Sequence, residues 1–121
     1  MTLALPATVA ASPGSIVSQG FAKVTPQHTI ENCPCPEIIV VPGGGGVNNA
    51  MGDERVMTWA KAATREAEVT MSVCTGALML ARAGLFDNRN ATTHWASISR
   101  LKKEAPAATV LQNTRFVDNG R

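Results

Sequence analysis

The stretch Val69-Thr70-Met71-Ser72-Val73-Cys74-Thr75-Gly76-Ala77-Leu78-Met79-Leu80-Ala81 decides the fold, because it changes periodicity in the middle. Val69 to Val73 is β-branched and apolar, as in a buried strand, whereas Ala77 to Ala83 is a run of strong helix formers with Leu78, Ala81 and Leu85 on one side. The spacing predicts a strand over 69–73 and a helix over 75–83, capped at its C-terminus by Gly84. Cys74 then stands where the strand turns into the helix. A thiol at that point meets the positive end of the helix dipole and the unpaired N–H groups of the first turn, both of which favour thiolate. The rival reading is that Cys74 is a small buried hydrophobe; its place between strand and helix favours the reactive thiol.

Upstream, Ile38-Ile39-Val40-Val41 reads as a second buried strand, and it runs into Pro42-Gly43-Gly44-Gly45-Gly46. Glycines at a strand end let backbone amides approach whatever they face. The run has neither the Lys-Ser/Thr of a phosphate loop nor the spacing of a dinucleotide fingerprint, so nucleotide binding is disfavoured. Asp53 to Glu66 predicts an amphipathic helix with Val56, Ala60, Ala63 and Ala67 on its inner face and Asp53 and Glu54 suited to its first turn. Trp95 to Glu104 predicts another helix, with Ile98, Leu101 and Ala105 inside. Strands alternating with helices through the centre predict an α/β domain with a parallel sheet covered on both faces.

The flanks are less regular. Thr2 to Ala10 reads as a strand, Ile16–Gln19 and Ala22–Thr25 as a hairpin, Asn90 to Thr93 as a short strand, and Thr109–Gln112 with Arg115–Asp118 as a late hairpin about Asn113-Thr114. Trp59 is expected in the core or on a dimer face, and Trp95 beneath the pocket.

With 121 residues, 45% of them hydrophobic, and a formal charge of +2, the composition is that of one globular domain over residues 1–121, not a disordered chain. Arg100, Lys102 and Lys103 form the densest basic cluster and read as a solvated helix face, which disfavours nucleic-acid binding. Three cysteines without a framework spacing point to a reducing, cytoplasmic setting. The apolar start has no Lys or Arg before Lys23 and is broken by Pro6, unlike a signal peptide, and no stretch approaches the roughly 18 apolar residues of a membrane span. Cys33-Pro34-Cys35 is too tight for a zinc knuckle and lacks a second pair; with His28 it offers at most adventitious metal binding, and no metal or organic cofactor is expected.

Pro42-Gly43-Gly44, Ser72-Val73-Cys74-Thr75-Gly76-Ala77, Ala83-Gly84-Leu85 and Ala91-Thr92-Thr93-His94-Trp95, in this order, resemble the DJ-1/PfpI superfamily, and within it the isonitrile hydratase branch. The resemblance implies a flavodoxin-like three-layer α/β sandwich, usually a homodimer. It implies that Cys74 attacks the isonitrile carbon while the N–H groups of Gly44 and Thr75 stabilise developing negative charge, with the Thr75 hydroxyl able to hold the thiolate. Gly43, Gly45, His94 and Trp95 would line the substrate site, His94 as a wall residue in preference to a base. The product would be an N-substituted formamide. Measured against the family pattern, the chain is expected to lack the first strand, with the acidic residue that exchanges protons with the cysteine, and the closing helix. That expectation carries an obligate homodimer or strand-exchanged oligomer. Two rivals to catalysis stand beside it: a ligand-sensing domain, since the Cys-Thr-Gly and Thr-Thr-His-Trp segments also resemble the input domains of AraC-type regulators, and a redox sensor in which Cys74 oxidises.

Overall fold

The computed structural model describes residues 6–18 and 20–121 of the chain. Residues 2–5 of the expected first strand, and Gln19 of the expected hairpin, lie outside the described residues. The described residues divide into one unit ending at Cys35 and a larger one running from Pro36 to Arg121.

In the first unit, Val9–Ala10 (β1) pairs in parallel with a strand over His28–Thr29, while Ile16–Ser18 (β2) and Ala22–Val24 (β3) form the expected antiparallel hairpin, Ile16 opposite Val24. His28–Thr29 is β4. Thr8 and Gln27 brace the β1–β4 pair from outside it: the Thr8 N–H donates to Gln27 Oε1 at 3.2 Å and the Gln27 N–H to Thr8 Oγ1 at 3.0 Å. Short ladders leave many backbone groups unpaired, and side-chain oxygens of this kind satisfy some of them.

The second unit is built on Ile38–Val41 (β5). After the glycine turn come two helices, Val47–Gly52 (α1) and Glu54–Glu66 (α2), and then Val69–Ser72 (β6), which lies parallel to β5 with Ile38 opposite Val69 and Val41 opposite Ser72. Asp53 caps α2 by accepting from the Arg55 N–H at 3.0 Å, as an acidic side chain ahead of a first turn should. Met57, Ala60, Ala63 and Thr64 form its buried face. Thr64 is tolerated there because its hydroxyl donates to the Ala60 carbonyl at 2.8 Å, leaving no bare polar atom.

Gly76–Arg82 (α3) follows β6 and packs on β5, β6 and α1. Six of its seven residues are buried. Gly84 ends it as expected, with φ at 82° and the Leu85 N–H reaching back to the Leu80 carbonyl at 3.1 Å, a left-handed glycine closing the helix. Asn90–Ala91 (β7) precedes a 3-10 turn over Trp95–Ser97, the helix Ile98–Glu104 (α4) and Thr109–Val110 (β8). Leu101 on α4 and Ala105 just past its end are buried, Leu101 completely; burying such a leucine stabilises by roughly 1.5–3 kcal/mol. Arg82 on α3 clamps α4 through two bonds to the Glu104 carboxylate, 2.7 and 3.1 Å long, and that bond holds its guanidinium charge above the ordinary arginine range.

Three expectations are corrected. The late hairpin does not form: β8 pairs in parallel with β7, Asn90 opposite Thr109, and residues 115–118 form no strand. Asn113 has φ at 59° and turns the chain away from its own predecessor, so the pairing is won by the distant strand. The helix expected from Trp95 begins with the 3-10 turn. The sheet face also differs. Helices cover Ile39 and Val41, each 9% exposed, but on the opposite face Ile38, Val40, Met71 and Val73 remain 50–55% exposed. Apolar composition marked both faces as buried, and within the unit from Pro36 to Arg121 only one is covered.

Candidate active site at the strand-to-helix elbow

Cys74 has φ at 53°. A left-handed backbone is uncommon for a residue with a Cβ, and here it is imposed from both sides. Val73 still follows the sheet, its N–H donating to the Val41 carbonyl at 3.0 Å, while two residues further on the Gly76 N–H closes a turn onto the Val73 carbonyl at 2.9 Å. The chain must reverse between a strand and a helix in a single residue, and Cys74 takes the bend. Its thiol is exposed, which removes the buried-hydrophobe reading.

Two glycines make the bend possible by having no side chain. A Cβ on Gly76 would sit 2.2 Å from the Val41 carbonyl oxygen, and one on Gly43 would sit 2.9 Å from Cys74 Cβ, the Thr75 nitrogen and Thr75 Oγ1. The end of β5 therefore lies directly against the elbow. Thr75 ties the two together: its hydroxyl accepts from the Gly44 N–H at 3.0 Å. The Gly44 N–H and the Thr75 hydroxyl, to each of which the resemblance gave a role toward the thiolate, are here engaged with each other. Among the described residues, no hydrogen bond outside the helices and strands uses the Thr75 N–H. Gly45 is exposed one residue beyond Gly44.

A third element reaches the elbow from the Thr92–Trp95 segment. Thr93 donates its hydroxyl to the Cys74 carbonyl at 2.9 Å, while Thr92, facing the other way, donates to the Leu111 carbonyl at 2.9 Å. Sequence reasoning quoted Thr93 only as part of a motif. The pointer was available, since adjacent threonines past a strand end aim their hydroxyls to opposite sides. His94 Nδ1 accepts from the Ala96 N–H at 3.3 Å, which caps the 3-10 turn, and its ring lies 5.2 Å from that of Trp95. Trp95 is 82% exposed and so does not pack beneath a pocket. With His94 and Thr93 it walls an open groove of ≈ 560 Å³ that extends to Lys102, Gln112 and Arg115.

The structure brings Cys74, Thr75, Gly43 and Gly44 into one locus, with His94 and Trp95 on the adjoining groove. Cys33 and Cys35 belong to the first unit and are free thiols. No group of three or more potential metal-ligating side chains occurs among the described residues, and no helix among them is long and apolar enough to cross a membrane.

A strand-to-helix elbow bearing a thiol, faced by a glycine turn on a parallel α/β scaffold, defines a class of cysteine-centred flavodoxin-like domains. The chain belongs to the DJ-1/PfpI family, whose model matches residues 5–121. It is 41% identical over 81 residues to the isonitrile hydratase of Pseudomonas putida, an alignment covering 67% of this chain and 36% of that enzyme. It is also 29% identical over 99 residues to the HTH-type transcriptional regulator GbdR of Pseudomonas aeruginosa, covering 82% of this chain and 27% of the regulator. The chain therefore spans about a third of the length of these curated relatives. Among solved structures it superposes on a ThiJ/PfpI family protein from Pseudomonas syringae with a TM-score of 0.83 and 27% identity, over 93% of this chain and 46% of that one.

Proposed function

We propose that the chain carries the nucleophile of an isonitrile hydratase-like site and that residues 1–121 form one portion of a DJ-1/PfpI domain. The observation that carries this reading is the exposed thiol of Cys74 on a left-handed backbone, held against the Gly43-Gly44 turn. In the proposed reaction the Cys74 thiolate attacks the terminal isonitrile carbon, a C–S bond forms, and a proton adds to that carbon to give a thioimidate. Water then adds to the same carbon and the thiolate departs, leaving an N-substituted formamide; the sum is addition of one water to the isonitrile. The Thr75 N–H is the donor in place for the negative charge that develops, and the Gly44 N–H joins it when the Thr75 hydroxyl rotates from Gly44 toward the thiolate.

In this reading the acidic group that exchanges protons with Cys74 is a carboxylate of an assembly partner, and a second copy of the chain in a homodimer or strand-exchanged oligomer is one way to supply it. The apolar face of Ile38, Val40, Met71 and Val73 supports an added layer there. No cofactor enters the proposal. The test is formamide production from a small alkyl isonitrile by the protein beside Cys74→Ala. Turnover lost in the variant supports the reading; equal rates in both would end it.

A second reading, ligand sensing without turnover, is favoured by the regulator relatives, one of which, GbdR, aligns with more of this chain than the hydratase does. Saturable isonitrile-independent ligand binding, with no formamide formed, would select it.

A further inference from the structure

The groove beside the elbow carries charge of one sign. Lys102 on α4 and Arg115 beyond β8 both line it, and no Asp or Glu does. Neither cation makes an ion pair among the described residues, although Arg82 on α3 and Arg100 on α4 both reach Glu104. Lys102 follows Ile98 by one helical turn, so a cation and an apolar side chain share the wall. Trp95 supplies a broad exposed ring, and Gln112 supplies an amide group. Two unpaired cations around an open, largely polar hollow suit a compact organic anion better than a neutral or cationic molecule. The groove also adjoins the nucleophile, because Thr93 lines it while its hydroxyl holds the Cys74 carbonyl.

We infer that this groove is a carboxylate subsite, in which Lys102 and Arg115 are specificity-determining residues that select a small substrate bearing a carboxylate. The isonitrile part of that substrate rests on the function proposed above; the carboxylate part rests on the groove alone. Exposed charges of this kind act with modest strength and are screened by salt. The expected preference for an acid over its uncharged amide is therefore about tenfold at low ionic strength, shrinking as salt is added.

The test has two arms on the same protein. In the first, N-formylglycine and N-formylglycinamide, product-like molecules differing only in the charge, are titrated into the wild type and into Lys102→Gln/Arg115→Gln, with binding read by calorimetry. The acid is expected to bind about tenfold tighter to the wild type, with the contrast lost in the double variant. Equal binding of acid and amide by the wild type, or a contrast that survives in the variant, would overturn the inference. Both positions are exposed, and the wild-type comparison needs no variant to fold. In the second arm, kcat/KM is compared for isocyanoacetate and its amide. Acid-selective binding with no turnover of either isonitrile would uphold the subsite and end the hydratase reading. Turnover of both at equal kcat/KM would do the reverse.

Discussion

Cys33 sits half-buried in the irregular segment after β4 and gives its thiol to the Pro34 carbonyl at 3.2 Å, whereas Cys74 stands exposed at φ 53° between a strand and a helix. Burial first, and the neighbouring Cys35 second, push the Cys33 thiol above the ordinary cysteine range. One cysteine is shielded by its surroundings; the other is presented by its backbone. The comparison teaches that how a thiol is presented in this chain is a matter of chain geometry. Three separated segments, at Gly43-Gly44, Gly76 and Thr93, converge on Cys74, while Cys33 interacts only with its own neighbours.

The sharpest way to break the contrast is to fill the space that permits the elbow. Gly76→Ala places a methyl group 2.2 Å from the Val41 carbonyl oxygen, so β5 and α3 must separate. The expected loss is about 3 kcal/mol or more, read as a lower urea midpoint, with Cys74 no longer held at its bend. An unchanged midpoint would mean that the close approach does not govern the elbow.

A smaller effect is expected from Thr93→Val, which removes the hydroxyl from the Cys74 carbonyl while keeping shape. The cost is about 1 kcal/mol, read by thermal or urea unfolding. The corresponding change at Thr114, whose hydroxyl meets only the nearby Phe116 carbonyl, should cost less.

The smallest effect concerns pH. Because the folded-state pKa of Cys33 is raised, its thiolate forms at higher pH than that of an ordinary cysteine, and its alkylation should rise later along a pH series. Below that midpoint Cys33 should react more slowly than an unhindered thiol. Cys35→Ser removes the lesser cause and should bring the midpoint part of the way back, while burial keeps the rest. A Cys33 profile matching that of a model peptide would contradict the cause assigned here.

Legibility in the sequence followed locality. The strand 38–41, the helix after Asp53, the Gly84 cap and the bend at Cys74 are written in consecutive residues, by periodicity, capping and turn chemistry. Helix α1 was missed because Val47–Gly52 contains two asparagines and a terminal glycine, poor helix formers held in place by packing of Val47 and Met51. The β7–β8 pair was misread because Asn113-Thr114 resembles a hairpin turn, while the true partner lies some twenty residues upstream. At the site, the motif residues were legible and their mutual engagement was not. Nothing in the order of residues announces that the Gly44 N–H is already taken by the Thr75 hydroxyl, or that Lys102 and Arg115 face a common groove.

The most direct test is to expose the protein to a small isonitrile, quench, and locate any adduct by peptide mass spectrometry. The account predicts a mass increment equal to the isonitrile on the Cys74 peptide, absent from the peptide carrying Cys33 and Cys35. An unmodified Cys74, or equal labelling of all three cysteines, would contradict the claim that the elbow makes this thiol a nucleophile.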